Sequence, residues 1–168
     1  MAVLPAQTIR KLCLVMEATI GVRLVPPLIK PFSERQEANG MTFGLGPCTY
    51  DFRIKQGLVL LPWWKLPCLW VMRAFDWTWT KFGGHVRLYD HYHCGFALAS
   101  TIEHVHFPND ICGTVLDKSS WARQGLAVQN TKFDPGFHGY PTIELSNHSL
   151  NTLVIRAGTP ICQFKFER

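Results

Sequence analysis

"FDPGFHGYPTIELSNHSLNTLVIRAGTPICQFKF", residues 133–166, sets short apolar runs between clusters of turn residues. "TIELS", "TLVIR" and "PICQFKF" have the length and the β-branched or aromatic content of strands, and "DPGFHG", "SNHSLN" and "RAGTP" separate them. The same grammar continues toward the N-terminus. "FALAS" and "IEHVHF" are strand candidates closed by "FPND". In "TYDFRIK" the apolar Tyr50, Phe52 and Ile54 alternate with Asp51, Arg53 and Lys55, which predicts a half-buried strand. Helical spacing occurs once, at Ile9, Leu12, Cys13 and Met16. Many short strands with turn residues between them predict an all-β barrel or jelly roll, one domain over residues 1–168. Gln36–Pro47, polar and Gly-bearing, reads as a long loop. The aromatic segment Pro62–Phe82 reads as an arm that packs on a neighbouring subunit, because its aromatic residues would be a liability on a free surface.

Composition narrows the function classes. At 168 residues, 47% hydrophobic and 17% charged, the chain can fill one core, and disorder is excluded. The net charge of +5 favours an anionic partner, but the basic residues are dispersed. Nucleic-acid binders usually cluster their cations, and a small phosphorylated ligand fits the charge equally well, since it needs only a few focused cations. The six Cys show no C-x-x-C spacing and suit reduced thiols in the cytoplasm. The N-terminus lacks a signal-peptide pattern, and no apolar run is long enough to span a bilayer.

Several chemistries are set aside on motif grounds. His91 and His93, and His104 and His106, sit two apart, which on a strand places each pair on one face; partly exposed strand histidines explain them without a metal. The H-x-E and P-C-x-x-C signature of zinc nucleobase deaminases is absent. So are G-x-S-x-G, the P-loop and G-x-G-x-x-G. What remains is "DKSSWARQGLAVQNTKFDPGFHGYPTIEL", residues 117–145. Lys118, Ser119, Ser120 and Arg123 place an ammonium, two hydroxyls and a guanidinium within six residues, a set suited to phosphate oxygens. "DPGFHG" is a tight turn presenting Asp134. Glu144 alternates with Ile143 and Leu145, which face away from it. Two readings of Glu144 stay open here: a general acid/base, or one half of a buried Arg–Glu pair.

This stretch resembles the dCTP deaminase family of the dUTPase-like superfamily. "FALASTIEHVHFPNDICGTVLDKSSWARQGL", residues 96–126, is similar to that family's strand–turn–strand leading into S-S-x-A-R. "FDPGFHGYPTIELSN", residues 133–147, is similar to the motif carrying its catalytic Glu. Weaker echoes are "GLGPCTYDFRI", "AGTPICQFKF" and "TIRKL". The resemblance implies a distorted β-barrel, a homotrimer with sites between subunits, and hydrolytic deamination of a deoxycytidine nucleotide. Mg²⁺ would accompany the phosphates, and zinc would take no part. Carried over by position, Glu144 is the proton-shuttling acid/base, and Ser119 and Arg123 hold the attacking water and orient the Glu. Lys118 and Ser120 lie on the phosphate side, Asp134 near the sugar, Phe137 against the deoxyribose, and Gln163 near the base.

The chain also departs from the pattern. "LAVQNTKFDPG" reaches Asp134 about two residues sooner than relatives do, and Lys132 puts a charge beside the expected base pocket. The sequence stops at Arg168, where relatives continue with a segment over the triphosphate. A short, lid-less, phage-type member is expected, using dCTP, or dCMP if the lid is absent. The alternatives are dUTP hydrolysis, alone or as a second activity, and a non-catalytic nucleotide-binding trimer.

Overall fold

A computed structural model describes residues 2–14, 26–38, 40–61 and 91–168. The proposed arm at 62–82 and Met16 of the predicted helix lie outside the described residues. The N-terminal helix α1 spans Ala6–Leu14 and buries Ile9 and Cys13, the face expected from the spacing. The rest is strand apart from one short turn of helix, α2, at Ser119–Ala122. No helix among the described residues is long and apolar enough to cross a membrane.

Four sheets surround one core. The largest has six strands in the order β11 (Lys132–Phe133), β9 (Cys112–Asp117), β15 (Pro160–Glu167), β4 (Thr49–Arg53), β3 (Met41–Leu45) and β2 (Gln36–Ala38). A second runs β10 (Leu126–Val128), β13 (Thr142–Asn147), β7 (Phe96–Ser100). A third runs β1 (Ile29–Lys30), β8 (His104–His106), β12 (His138–Gly139). A fourth runs β14 (Leu153–Ile155), β5 (Leu58–Leu61), β6 (His91–Cys94), of which β5 and β6 are parallel. Every strand expected from the sequence is present, and the all-β expectation holds.

Gln36–Pro47 is corrected: it is not a loop but largely a hairpin, β2 against β3, with Gln36 opposite Phe43 and Ala38 opposite Met41. Its turn includes Gly40 at φ +72°, a left-handed conformation that glycine adopts without strain. The polar composition that suggests a loop reflects the exposed β2 edge.

The core is aromatic. Phe52 packs on Phe164 at 4.2 Å, Phe133 stacks on Phe164 at 5.4 Å, and Phe107 meets Phe166 edge-on at 5.8 Å. Truncating one of the fully buried rings to Ala should cost about 3–5 kcal/mol. The alternation in β4 puts Tyr50 and Phe52 wholly inside. Its other face is not a solvated one, however. Asp51 is buried beside Lys118, and Arg53 reaches the fully buried Glu103. A buried Arg–Glu pair therefore exists, but between Arg53 and Glu103, with Nε–Oε1 2.7 Å and the Arg53 N–H donating to Oε2 at 2.9 Å.

Candidate functional site

The S-S-x-A-R segment folds around a buried tryptophan. Trp121 is 6% exposed and its indole N–H donates to the Pro160 carbonyl at 2.9 Å. The Lys118 carbonyl accepts from the Trp121 and Ala122 amides, which closes α2. With Trp121 inside, Ser119 and Arg123 point to solvent and Ser120 is half-buried. Gly125 ends the turn at φ +87°; a Cβ there would stand 2.7 Å from that of Ser149, so the position demands glycine. Asp117 fastens the next strand by accepting the Val128 amide at 2.7 Å.

Lys118 is turned inward. It is 4% exposed, and its ammonium donates to Asp51 Oδ2 at 2.8 Å, 67 residues away in sequence. In this conformation the charge is not offered to a ligand outside. Asp51 Oδ1 is buried with no partner among the described residues.

Glu144 lies in the middle of β13, opposite Leu98 of β7. Ile143 and Leu145 are 1% and 0% exposed, so Glu144 projects from the outer face, half-buried. Its carboxylate has no hydrogen bond or ion pair among the described residues. Beside it on that face run Gln129, Ser146 and His148, linked by a 3.3 Å bond from Gln129 Nε2 to Ser146 Oγ and a 3.0 Å contact from Ser146 Oγ to His148 Nε2. Phe96 and Leu98 flank Glu144 on β7 and are 51% and 58% exposed, an uncovered apolar border to a carboxylate.

Arg123 is elsewhere in the same chain. It lines an open groove of about 510 Å³ with Gln124, Ser149, Asn151 and Leu153. β10 pairs with β13 so that Leu126 is opposite Asn147 and Val128 opposite Leu145. Arg123 thus lies off the Asn147 end, and Glu144 is three residues from Asn147 along β13, a rise of roughly 10 Å on an extended strand. Within one chain no ion pair or hydrogen bond joins the guanidinium to the carboxylate.

The short connection after β10 crosses between sheets. The Gln129 amide donates to the Glu144 carbonyl, the Thr131 amide to the Gln129 carbonyl, and the Val115 amide to the Thr131 carbonyl. Lys132 then pairs opposite Thr114 on the six-stranded sheet, away from Glu144. There Lys165, bonded at 2.9 Å, holds the Glu167 carboxyl below its usual range, and Lys132 adds a smaller push. Asp134, Pro135, Gly136 and Phe137 form a type II turn: Gly136 has φ +81° and the Phe137 amide donates to the Asp134 carbonyl at 3.2 Å. Asp134 is exposed, as the sequence pattern requires. Phe137 is half-buried, with one side on Phe133 at 4.8 Å. Gln163 sits on β15 between Leu116 and Asp51, where it lines a cavity of about 90 Å³ with Asp51, Thr42 and Thr49. It belongs to the six-stranded sheet, not to that of Glu144.

The structure therefore divides the expected residues into four places: Ser119, Ser120 and Arg123 on and just after α2; Glu144 on the outer face of β13; Asp134 and Phe137 in the turn before β12; and Gln163, Lys132 and the Lys118–Asp51 pair on or beside the large sheet. Asp51, Arg53 and Glu103 are the polar residues that sequence reasoning missed. The alternation of "TYDFRIK" places Asp51 and Arg53 on one face, but nothing local names their partners.

A family model described as dCTP deaminase-like matches residues 90–168. A dCTP deaminase of Campylobacter lari is 32% identical over 140 residues, 83% of this chain and 74% of that protein. One from a Wolbachia of Brugia malayi is 42% identical over 71 residues, 42% of this chain and 38% of that protein. Among solved structures, the 2′-deoxycytidine 5′-triphosphate deaminase from Agrobacterium tumefaciens superposes with TM-score 0.58 at 18% identity, covering 97% of this chain and 46% of that one. The EIAV dUTPase superposes with TM-score 0.53 at 14% identity, covering 83% and 86%. At these identities the structural likeness concerns the fold, which is dUTPase-like.

Proposed function

The chain belongs to the dCTP deaminase-like family, and from that premise we propose that it hydrolyses the exocyclic amine of a deoxycytidine nucleotide, giving the deoxyuridine nucleotide and ammonia. Glu144 carries this reading: a half-buried carboxylate on the outer face of a core strand, without a partner among the described residues, at the family's acid/base position. A carboxylate that is not spent on an internal ion pair is free to take a proton from water. Glu144 removes one proton as the oxygen adds to C4 of the cytosine and passes it to the ring nitrogen; it then takes the proton of the new C4 hydroxyl and delivers it to the amine, which leaves as ammonia as the C4 carbonyl forms. Ser119 and Arg123 position the water and the carboxylate. Because no ion pair or hydrogen bond joins Arg123 to Glu144 within one chain, they meet across an interface between copies, in a homotrimer. The exposed Phe96 and Leu98 beside Glu144 support a covering subunit there.

Ser119 and Ser120, at the exposed start of α2, supply hydroxyls to the phosphates. Lys118 serves this reading from inside, holding the start of α2 through Asp51 rather than touching phosphate. Asp134 and Phe137 present a carboxylate and a ring edge from the type II turn to the sugar, and Gln163 and Lys132 act at the large sheet. Mg²⁺ enters with the substrate, a hard cation whose ligands are chiefly phosphate oxygens.

The test offers purified protein and Mg²⁺ with dCTP, dCMP and dUTP in parallel and resolves the products by chromatography. Deoxyuridine nucleotide from dCTP is expected, and Glu144→Gln should lower its rate at least about 100-fold. Full activity in Glu144→Gln would sink the assigned mechanism. Pyrophosphate from dUTP alone would move the reading to dUTP hydrolysis, with Asp134 as the available carboxylate.

A further inference from the structure

The histidines on the β1–β8–β12 sheet have no part in the chemistry above, and two of them share a face, as their spacing suggests. His104 and His106 share the outer face of β8, with Val105 fully buried between them. Each has its neighbour across the sheet rather than along the strand. His104 stands opposite Lys30 and meets the Tyr140 ring edge-on at 5.1 Å. His106 is directly opposite His138 in the register, with ring centres 6.1 Å apart and planes tilted by 42°. His138 is exposed and His106 half-exposed.

We propose that His106 and His138 form a two-imidazole site for a borderline divalent transition metal, Zn²⁺ or Ni²⁺. Imidazole nitrogen is the donor such ions prefer among uncharged side chains. With metal–nitrogen bonds of about 2.0–2.1 Å, two ligating rings have centres about 5.2 Å apart at a tetrahedral angle and about 6.4 Å apart when opposed. The observed separation is about 0.9 Å wider than the tetrahedral arrangement, so the exposed His138 ring swings toward His106 as the ion seats. Among the described residues no three His, Cys, Asp or Glu side chains converge on one point, so water completes the coordination. The nearby cations do not occupy the position. Lys30 lies on the far side, against His104, and the Lys55 ammonium rests 5.1 Å from the centre of the Tyr140 ring. Their repulsion passes through solvent and is screened.

The site has a structural consequence. β12 follows directly on the Asp134–Phe137 turn, which is tied to the end of β8 by the Phe107 amide donating to the Phe137 carbonyl at 2.8 Å. An ion bridging His106 and His138 adds a second tie and stiffens the turn that presents Asp134 and Phe137. Binding of the ion does not depend on the deaminase reading.

The experiment titrates EDTA-treated full-length protein with Ni²⁺ by calorimetry and follows its melting temperature. The wild-type chain should bind one ion at this site and melt at a temperature that rises with the logarithm of free Ni²⁺. His138→Ala, an exposed change that should leave the fold intact, should weaken binding at least about tenfold, since even loss of a group behind a ligand costs about 10–100-fold. His148→Ala is the control and should leave the affinity unchanged. Nitrogen-detected spectra of the rings should show the signals of His106 and His138 shifting together. Equal affinity in wild type and His138→Ala, or no stoichiometric binding, would overturn the proposal, and so would shifts at other rings only.

Discussion

Replacing Lys118 by Met separates the two roles open to this lysine. The methionine keeps the apolar stem but removes the ammonium, which is the only partner of the Asp51 carboxylate among the described residues. Both oxygens are then left unbonded in a side chain that is 12% exposed. Breaking a buried pair from one side costs about 3–5 kcal/mol, because the remaining charge must stay unpaired or protonate. The slight exposure of Asp51 puts the expected loss near the lower end, about 3 kcal/mol. At about 2–4 °C per kcal/mol for a chain of this size, the midpoint should fall by roughly 6–12 °C. The assay is thermal and urea unfolding followed by far-ultraviolet circular dichroism, at one protein concentration because assembly contributes to stability. The double variant Lys118→Met/Asp51→Leu replaces the pair by apolar groups of similar shape, the larger leucine tips filling part of the small cavity beside Asp51, and should recover to within about 1 kcal/mol of wild type. Those two results together would establish the inward role. A single variant that melts like wild type while its KM for nucleotide rises would refute it and return Lys118 to the phosphates.

Two further predictions follow from the same geometry. Glu144→Gln and Arg123→Ala should each be inactive alone, yet after mixing and reassembly about one site in four should hold both native residues if the site lies between subunits, and activity should return accordingly; no recovery would place both residues in one chain's site. Cys13 and Cys162 should resist alkylation in the folded protein while the exposed Cys48 reacts, as read by mass spectrometry of labelled peptides. Burial pushes the Cys13 thiol up to about 12 and that of Cys162 well above its ordinary value, so neither supplies thiolate at neutral pH.

How far each feature is legible depends on the distance over which its cause acts. The type II turn at Asp134–Phe137 is written in four adjacent residues, because proline sets one dihedral and glycine permits the next. The strands from Thr142 to Glu167 follow from alternation, and with them the outward direction of Glu144 between two buried neighbours. The hairpin Gln36–Leu45 was hidden because an exposed edge strand needs little apolar content, so its composition is that of a loop.

The sequence by itself thus determined an all-β chain, its family motifs and the residue types available for chemistry, since backbone preference and side-chain alternation are local properties. Only the tertiary structure decided the pairings. Asp51 meets Lys118 and Arg53 meets Glu103 because strand register carries segments 67 and 50 residues apart onto one sheet or its border. The same register leaves Arg123 and Glu144 unjoined within one chain and sets His106 against His138. Register is fixed by burying a whole face at once, a long-range packing condition that no single stretch of sequence contains.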